Sequence, residues 1–294
     1  MRKSIIVHGG CGRAPVGPTG ERQHVLDLAA EAGLKGRSAI EMVERAVQVL
    51  EDHPMFDAGT GSVLTLDGEC ELDACLMTGD GRLGAVAGLT RTRHPVSVAR
   101  AVMEETEHHI LVGGGATRFA RLMGHADYDP RTPERAARWK KLRQDLRLGL
   151  GGPDFRFWRK MAAWQKAYGL HETVGACAID ARGRLAAATS TGGIWMKVPG
   201  RVGDTAIPGA GTCAARAGAV SLTGHGEGVM RLCLGRHACG LMAKMPCQAA
   251  LDSTAAYAAE KGVDCGIIGV DAKGRLAWAR SAPWLQVGRA GDTR

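Results

Sequence analysis

Residues 174–188 read VGACAIDARGRLAAA, and residues 265–279 read CGIIGVDAKGRLAWA. Each copy consists of an apolar run, an Asp-Ala-(Arg/Lys)-Gly turn and an Arg-Leu-Ala run, which is the pattern of a β-hairpin. Gly183 and Gly274 stand where a left-handed turn residue is favoured. Between the copies the pattern predicts helices at about residues 225–242 and 247–260. Strands interleaved with paired helices favour two stacked sheets covered by helices, an αββα sandwich.

The N-terminal half continues this alternation of strands and helices. SIIVH at residues 4–8 predicts a short buried strand that runs into a glycine turn. Ser38 and Glu41 form a capping box at the start of a helix that ends near Pro54. Further strands are expected at residues 62–66, 69–74 and 83–89, and further helices at about 96–107 and 116–123.

Length and composition exclude several classes of protein. The 294 residues fit one medium domain or two small ones, and 45% hydrophobic with 23% charged residues excludes extended disorder. No apolar run approaches the roughly 18–20 residues of a membrane-spanning helix, and the N-terminal stretch lacks a signal-peptide core. The nine cysteines contain no CxxC pair and indicate buried, reduced thiols. We therefore expect a cytoplasmic protein without a membrane partner.

The net charge of +8 is concentrated in one segment, residues 131–166, which holds eleven Lys/Arg and three acidic residues. The segment also contains three of the six tryptophans. Its apolar spacing predicts two amphipathic helices separated by Gly151-Gly152-Pro153. A solvated or self-packed helical pair is the favoured interpretation. A polyanion-binding arm is the alternative, since basic and aromatic residues together bind nucleic acid, but no nucleic-acid motif accompanies them.

No GxSxG, Walker A or HExxH motif occurs in the sequence. The part of the chain that is informative about chemistry is a stretch rich in threonine and glycine. Glycines let the backbone approach a ligand closely, and hydroxyls and free N–H groups bind a small polar substrate. Arg201 and Asp204 carry the charges needed to hold the carboxylate and ammonium of an amino acid. The blocks concerned are residues 171–175, 189–193, 200–204, 209–211 and 223–227.

Taken in order, these blocks resemble the plant-type L-asparaginase/isoaspartyl peptidase family, N-terminal-nucleophile hydrolases that include glycosylasparaginases. HGGCG at residues 8–12 is similar to the family's HGGAG, and DAGTGS at residues 57–62 is similar to its NAGxGS. ELDA at residues 71–74 also belongs to the resemblance. The resemblance covers nearly the whole chain. Only about residues 128–170 lack a counterpart, and in relatives that region is a variable linker before a self-cleavage site.

The resemblance implies a four-layer αββα sandwich of the N-terminal-nucleophile hydrolase type, formed as a single domain by residues 1–294. It also implies self-cleavage between Glu172 and Thr173, through attack of the Thr173 hydroxyl on the Glu172 carbonyl. The products are an α subunit, residues 1–172 with a basic helical insert at about 128–170, and a β subunit, residues 173–294. The freed amine of Thr173, of ordinary pKa about 7.7–8.0, then serves as general base for its own hydroxyl.

The family also implies a role for each remaining site residue. Thr191 is expected to hydrogen bond Thr173, and Thr223 with the Gly224 N–H to form the oxyanion hole. The planar guanidinium of Arg201 suits a substrate carboxylate, and Asp204 suits the substrate ammonium. Gly226 lines the pocket, and Gly9, Gly10 and Asp57 lie nearby.

Two positions depart from the family pattern. Glu172 stands where asparaginases usually carry Gly and glycosylasparaginases carry Asp. Asp57 stands where relatives have Asn, and its extra negative charge bears on the binding of an aspartyl substrate.

The implied function is the hydrolysis of L-asparagine and of β-aspartyl dipeptides through a threonyl acyl-enzyme. Two alternatives remain: a glycosylasparaginase-like hydrolase of N-linked asparagine derivatives, and an uncleaved, inactive family member that acts as a binding protein. The family further implies (αβ)₂ self-association and no organic or redox cofactor. A structural sodium in the loop before Asp57 is the one metal considered.

Overall fold

The computed structural model describes residues 2–12, 19–149, 170–171 and 173–291. Glu172 and the second helix predicted for the basic segment, after Gly151, lie outside the described residues. In chain order the elements are β1 (Ser4–Gly12), α1 (Gly20–Leu34), α2 (Ala39–Asp52), β2 (Leu72–Thr78), β3 (Leu83–Leu89), α3 (Pro95–Glu105), β4 (Ile110–Val112), α4 (Gly113–Leu122), α5 (Pro133–Gly149), β5 (Leu170–His171), β6 (Val174–Ile179), β7 (Leu185–Thr191), β8 (Thr212–Ala215), β9 (Gly218–Gly224), α6 (Gly226–Leu232), α7 (Leu234–Met242), α8 (Cys247–Glu260), β10 (Cys265–Asp271), β11 (Leu276–Arg280) and β12 (Trp284–Gly291).

The strands form two sheets. The larger one has the order β12-β1-β6-β7-β2-β3-β4, with β5 beside β1, and the smaller one has the order β11-β10-β9-β8. The two predicted hairpins are confirmed as β6–β7 and β10–β11, one in each sheet. Their turn residues Gly183 and Gly274 have φ of 78° and 81°, which a residue with a Cβ rarely adopts.

Alternating side chains of the larger sheet pack into two hydrophobic cores, one on each face of the sheet. Ile5 and Val7 pack with α1 and α2, whereas Ile6, between them, packs with Ile268 and Val270 of the smaller sheet. Helices α7 and α8 cover the smaller sheet through a third core. The chain therefore has a mixed α/β fold in which sheet contacts sheet and helices cover both.

Four sequence-based expectations are wrong in detail. The glycine turn expected after residues 4–8 is instead a continuation of strand β1 to Gly12. Residues 62–66 form no strand, because the chain before them turns tightly through Gly59 and Gly61, at φ of 53° and 87°. The strand expected at residues 69–74 begins only at Leu72. The helix expected at residues 225–242 is broken into α6 and α7, because Cys233 adopts a left-handed conformation with φ of 48°.

Other expectations are confirmed. The side chain of Ser38 accepts a hydrogen bond from the Glu41 N–H at the start of α2. All nine cysteines lie in the described residues and are free, and only Cys233 is exposed. Within the described ranges, no helix combines the length and the apolar character needed to cross a membrane.

Candidate active site

Thr173 stands immediately before β6 and is 7% exposed. In the antiparallel pairing of β6 with β7, Val174 lies opposite Ser190, which brings Thr173 beside Thr191. The Thr173 hydroxyl donates to the Thr191 hydroxyl at 3.3 Å. The Thr191 hydroxyl also accepts from the Gly193 N–H at 3.0 Å, which fixes its orientation. The hairpin thus places two threonine hydroxyls together at its open end.

His8 lies in β1, and the sequence analysis gave it no role in the site. Its Nε2 is hydrogen bonded to the Ser221 hydroxyl at 2.9 Å, and Ser221 contacts the Thr189 hydroxyl at 2.7 Å. Burial lowers the pKa of His8 to about 3, against the opposing effect of the Thr173 backbone. The imidazole is therefore neutral, and its hydrogen bond to Ser221 links β1 to the smaller sheet.

Arg201 and Asp204 come together around Gly226. A Cβ built at Gly226 would lie 2.8 Å from Oδ1 of Asp204 and 3.0 Å from Nη2 of Arg201. Burial raises the pKa of Asp204 to about 7, although the charge of Arg201 opposes the rise. The two oppositely charged side chains expected to bind an amino acid are therefore neighbours.

Glu227 is a charged neighbour of this pair to which the sequence interpretation gave no role. Its Oε1 accepts from Arg201 Nε at 3.0 Å and lies 2.9 Å from Arg201 Nη2. Burial opposes ionisation, yet the charge of Arg201 keeps the pKa of Glu227 below its usual value. The half-exposed Glu227 side chain thus orients the guanidinium group of Arg201.

Two acidic residues at the start of β2 anchor the loop that carries Arg201 and Asp204. The fully buried Asp73 accepts from the Gly88 N–H at 2.8 Å and from the Gly203 N–H at 3.3 Å. Glu71 accepts from the Gly200 N–H at 2.8 Å. The ELDA block had been recognised by resemblance without a role, because only the folded chain brings β2 to this loop.

Thr223 and Gly224 end β9, in the sheet that faces the β6–β7 hairpin. Thr223 is fully buried, and its carbonyl accepts from the Cys11 thiol at 3.3 Å. Gly224 has φ of 138°, and a Cβ there would clash with the Asp264 carbonyl. Only glycine fits where β9 turns into α6.

Asp57, Gly9 and Gly10 lie around the same end of the larger sheet. The Asp57 carbonyl accepts from the Gly192 N–H at 2.9 Å, directly beside Thr191, and its side chain accepts from the Val63 N–H at 2.7 Å. Gly9 leaves room for Phe56, whose Cε1 would lie 2.5 Å from a Cβ, and Gly10 has φ of 108°.

The basic helix α5 packs beside this site. Arg138 lies over the ring of Trp195, 5.1 Å from its centroid, and Trp139 Nε1 donates to the Thr65 carbonyl at 2.8 Å. The buried Arg135 faces the carbonyls of Met55 and Phe56 at 3.4 and 3.5 Å. The described half of the basic segment is therefore packed against the rest of the protein, and the pairing of two helices within the segment stays a prediction.

The same contacts bear on the sodium expected before Asp57. The carbonyls of Met55 and Phe56 already face a guanidinium, so these two oxygens do not fit a sodium site. A sodium ion elsewhere in this loop stays a prediction. Among the described residues, no group of three or more His, Cys, Asp or Glu side chains is placed to hold a metal ion.

Comparison of the sequence with known proteins shows which family the chain resembles. A family model described as asparaginase matches residues 1–292. The chain is 45% identical over 292 residues to the plant-type L-asparaginase of Pyrococcus furiosus, covering 95% of this chain and 93% of that protein. It is 39% identical over 316 residues to the isoaspartyl peptidase of Salmonella typhimurium, an alignment that covers 100% of this chain and 97% of that protein. It is 40% identical over 306 residues to the isoaspartyl peptidase/L-asparaginase of Danio rerio, an alignment that covers 98% of this chain and 91% of that protein.

Proposed function

This chain belongs to the asparaginase family, and on that premise we propose that it hydrolyses L-asparagine to L-aspartate and ammonia and cleaves β-aspartyl dipeptides. Relatives named plant-type L-asparaginase and isoaspartyl peptidase support both activities. The observation that carries the proposal is the buried Thr173 hydroxyl, hydrogen bonded to Thr191 at the open end of the β6–β7 hairpin.

We propose that the chain first cuts itself before Thr173. The Thr173 oxygen attacks the Glu172 carbonyl carbon, the peptide C–N bond breaks, and the acyl group passes from nitrogen to oxygen. Water then opens the ester and leaves Thr173 with a free amine. The products are the chains 1–172 and 173–294, which fold as one domain.

In turnover, the neutral Thr173 amine takes the proton of its own hydroxyl, and the oxygen attacks the side-chain carbonyl carbon of the substrate. The C–N bond breaks and the proton leaves with ammonia or with the amino acid of a β-aspartyl dipeptide. Water hydrolyses the resulting ester and releases L-aspartate. The Thr191 hydroxyl holds the Thr173 oxygen in place, and Thr223 with the Gly224 N–H stabilises the oxyanion; removal of one such donor typically costs about 100–1000-fold in rate.

Substrate capture is assigned to the Arg201–Asp204 pair, with Gly226 leaving the space between them. Arg201 takes the α-carboxylate, and Asp204 takes the α-ammonium, whose charge favours the ionised form of this buried carboxyl. Support comes from the closeness of both groups to Gly226 and from the anchoring of their loop by Asp73.

Several wider expectations belong to the same proposal. The two facing sheets and their covering helices support a four-layer αββα sandwich of the N-terminal-nucleophile type. Assembly as an (αβ)₂ heterotetramer, a cytoplasmic location, and the absence of nucleic-acid partners and organic cofactors are carried over as predictions.

Side-by-side hydrolysis of L-asparagine, β-Asp-Leu and an asparagine-linked sugar tests the proposal. We expect turnover of the first two and none in the Thr173→Ala variant. Preferential cleavage of the asparagine-linked sugar would instead identify a glycosylasparaginase. Saturable binding of L-aspartate without turnover of any substrate would identify an uncleaved binding protein.

A further inference from the structure

A cavity of about 450 Å³ lies at the end of the hairpins opposite the candidate active site. It is bounded by the turn after β2, the turn between β6 and β7, the turn after β8 and the start of α2. Strand β6 runs from Thr173 to this end over six residues, about 20 Å at 3.3 Å per residue. The cavity is therefore separate from Thr173. It also lies at the opposite end of β2 from Asp73, which binds the loop of Arg201 and Asp204. Its polar lining includes Ser38, Thr78, Asp80, Arg82, Arg184 and Arg216.

Three arginines from three different turns line this cavity, and most of their hydrogen-bonding capacity is unused. Arg82 pairs with Asp80 through Nε alone, at 3.4 Å. Arg184 pairs with Asp180 through Nε alone, at 2.7 Å. Within the described ranges, the terminal nitrogens of both guanidinium groups make no hydrogen bond, and the exposed Arg216 has no hydrogen-bond or ion-pair partner.

The acidic groups near the cavity are already occupied. Asp80 accepts from the Thr78 hydroxyl as well as pairing with Arg82. The buried Asp180 accepts from the Ala39, Arg182 and Arg184 N–H groups in addition to the Arg184 side chain. Three guanidinium groups facing two such carboxylates leave a positive excess. The start of α2 adds to it, because the N-terminal end of a helix carries partial positive charge.

We propose that this cavity binds a small organic polyanion, a molecule with two or more phosphate or carboxylate groups. Guanidinium groups with free terminal nitrogens suit paired anionic oxygens. The volume is in the range of small-molecule sites, and Ile40 and Leu185 supply an apolar wall for a carbon skeleton. A zwitterionic amino acid fits less well, because the three guanidinium groups outnumber the two carboxylates and both carboxylates already accept hydrogen bonds. The cavity thus selects a ligand class different from the substrate of the active site.

Isothermal titration of the purified protein with pyrophosphate and with citrate, at low ionic strength, tests the proposal. We expect saturable binding of at least one probe with one site per chain. Binding of pyrophosphate alone assigns the site to phosphorylated compounds, and binding of citrate alone assigns it to polycarboxylates. The Arg216→Ala variant should weaken binding about tenfold or more, because it removes a charge-assisted contact.

Two control variants make the result specific. Arg37→Ala removes a 92% exposed side chain from just before α2, outside the cavity, and should bind the probes as the unaltered protein does. Arg201→Ala removes the other candidate anion site and should also leave binding unchanged. No saturable binding of either probe, unaltered binding in Arg216→Ala, or loss of binding in Arg201→Ala or Arg37→Ala would overturn the proposal.

Discussion

Replacing Gly226 by alanine tests whether Arg201 and Asp204 bind the substrate, because the new methyl group would contact both side chains. Gly226 opens α6 without a positive φ, so alanine fits the backbone there. Its Cβ, however, would lie 2.8 Å from Asp204 Oδ1, which is closer than real Cβ contacts allow, and 3.0 Å from Arg201 Nη2, which is a tight contact. Because Asp204 is buried and Gly211 lies against its other oxygen, the new methyl group displaces the pair that is assigned to the substrate.

The expected loss follows from the contacts involved. Displacement of either group removes one charge-assisted hydrogen bond to the substrate, which contributes about 1.5–3 kcal/mol. At about 1.4 kcal/mol per factor of ten, KM for L-asparagine should rise about 10–150-fold. The turnover number kcat should change much less, since the Thr173–Thr191 contact involves neither Arg201 nor Asp204.

Steady-state kinetics with L-asparagine measures both constants, and Gly240→Ala provides the matched control. Gly240 lies in α7, and no atom lies within 4 Å of the point that an alanine methyl group would occupy, so this variant should keep the kinetics and gain slightly in Tm. An unchanged KM in a folded Gly226→Ala protein, or a fall in kcat alone, would refute the placement of the substrate between Arg201 and Asp204.

Three further predictions test other parts of the site. Asp73→Asn replaces one of the two oxygens that accept from the Gly88 and Gly203 N–H groups, and it removes a charge that raises the pKa of Asp204. KM should therefore rise at least fivefold, and the acid limb of the pH profile should move to lower pH; unchanged profiles would remove Asp73 from the positioning of this loop. The pKa of Asp204 is about 7 in the native state and 3.8 ordinarily, so the native state retains a proton that the unfolded state loses, and stability falls as pH rises from about 4 to 7. Asp204→Asn should therefore raise Tm more at pH 8 than at pH 4. An equal change in Tm at both pH values would contradict the burial of this carboxyl group. Trp139→Phe removes the 2.8 Å hydrogen bond to Thr65 and should cost about 0.5–1.5 kcal/mol of unfolding free energy in urea denaturation, whereas no loss would show that α5 is not held there.

The sequence predicted those features that depend on local pattern. The β6–β7 and β10–β11 hairpins followed from apolar runs around Asp-Ala-X-Gly turns, and their register brought Thr173 to Thr191. The break at Cys233 was not predicted, because a left-handed cysteine has no sequence signal.

Residues that act across the fold escaped the sequence interpretation. Asp73 and Gly203 are 130 positions apart, and His8 and Ser221 are 213 apart. Their contacts arise from the order of strands in the sheets and from the stacking of one sheet on the other. The ELDA block marked Asp73 by resemblance, but only the packing of β2 against the 197–204 loop gives it a task.

The most direct test of the central claim is the intact mass and N-terminal sequence of purified, active protein. Catalysis by the amine of Thr173 requires two chains of 172 and 122 residues, the second beginning Thr-Val-Gly-Ala. Activity should grow in proportion to this second chain as the precursor matures, and the Thr173→Ala variant should remain at full length. Full activity in a chain still intact between positions 172 and 173 would contradict it.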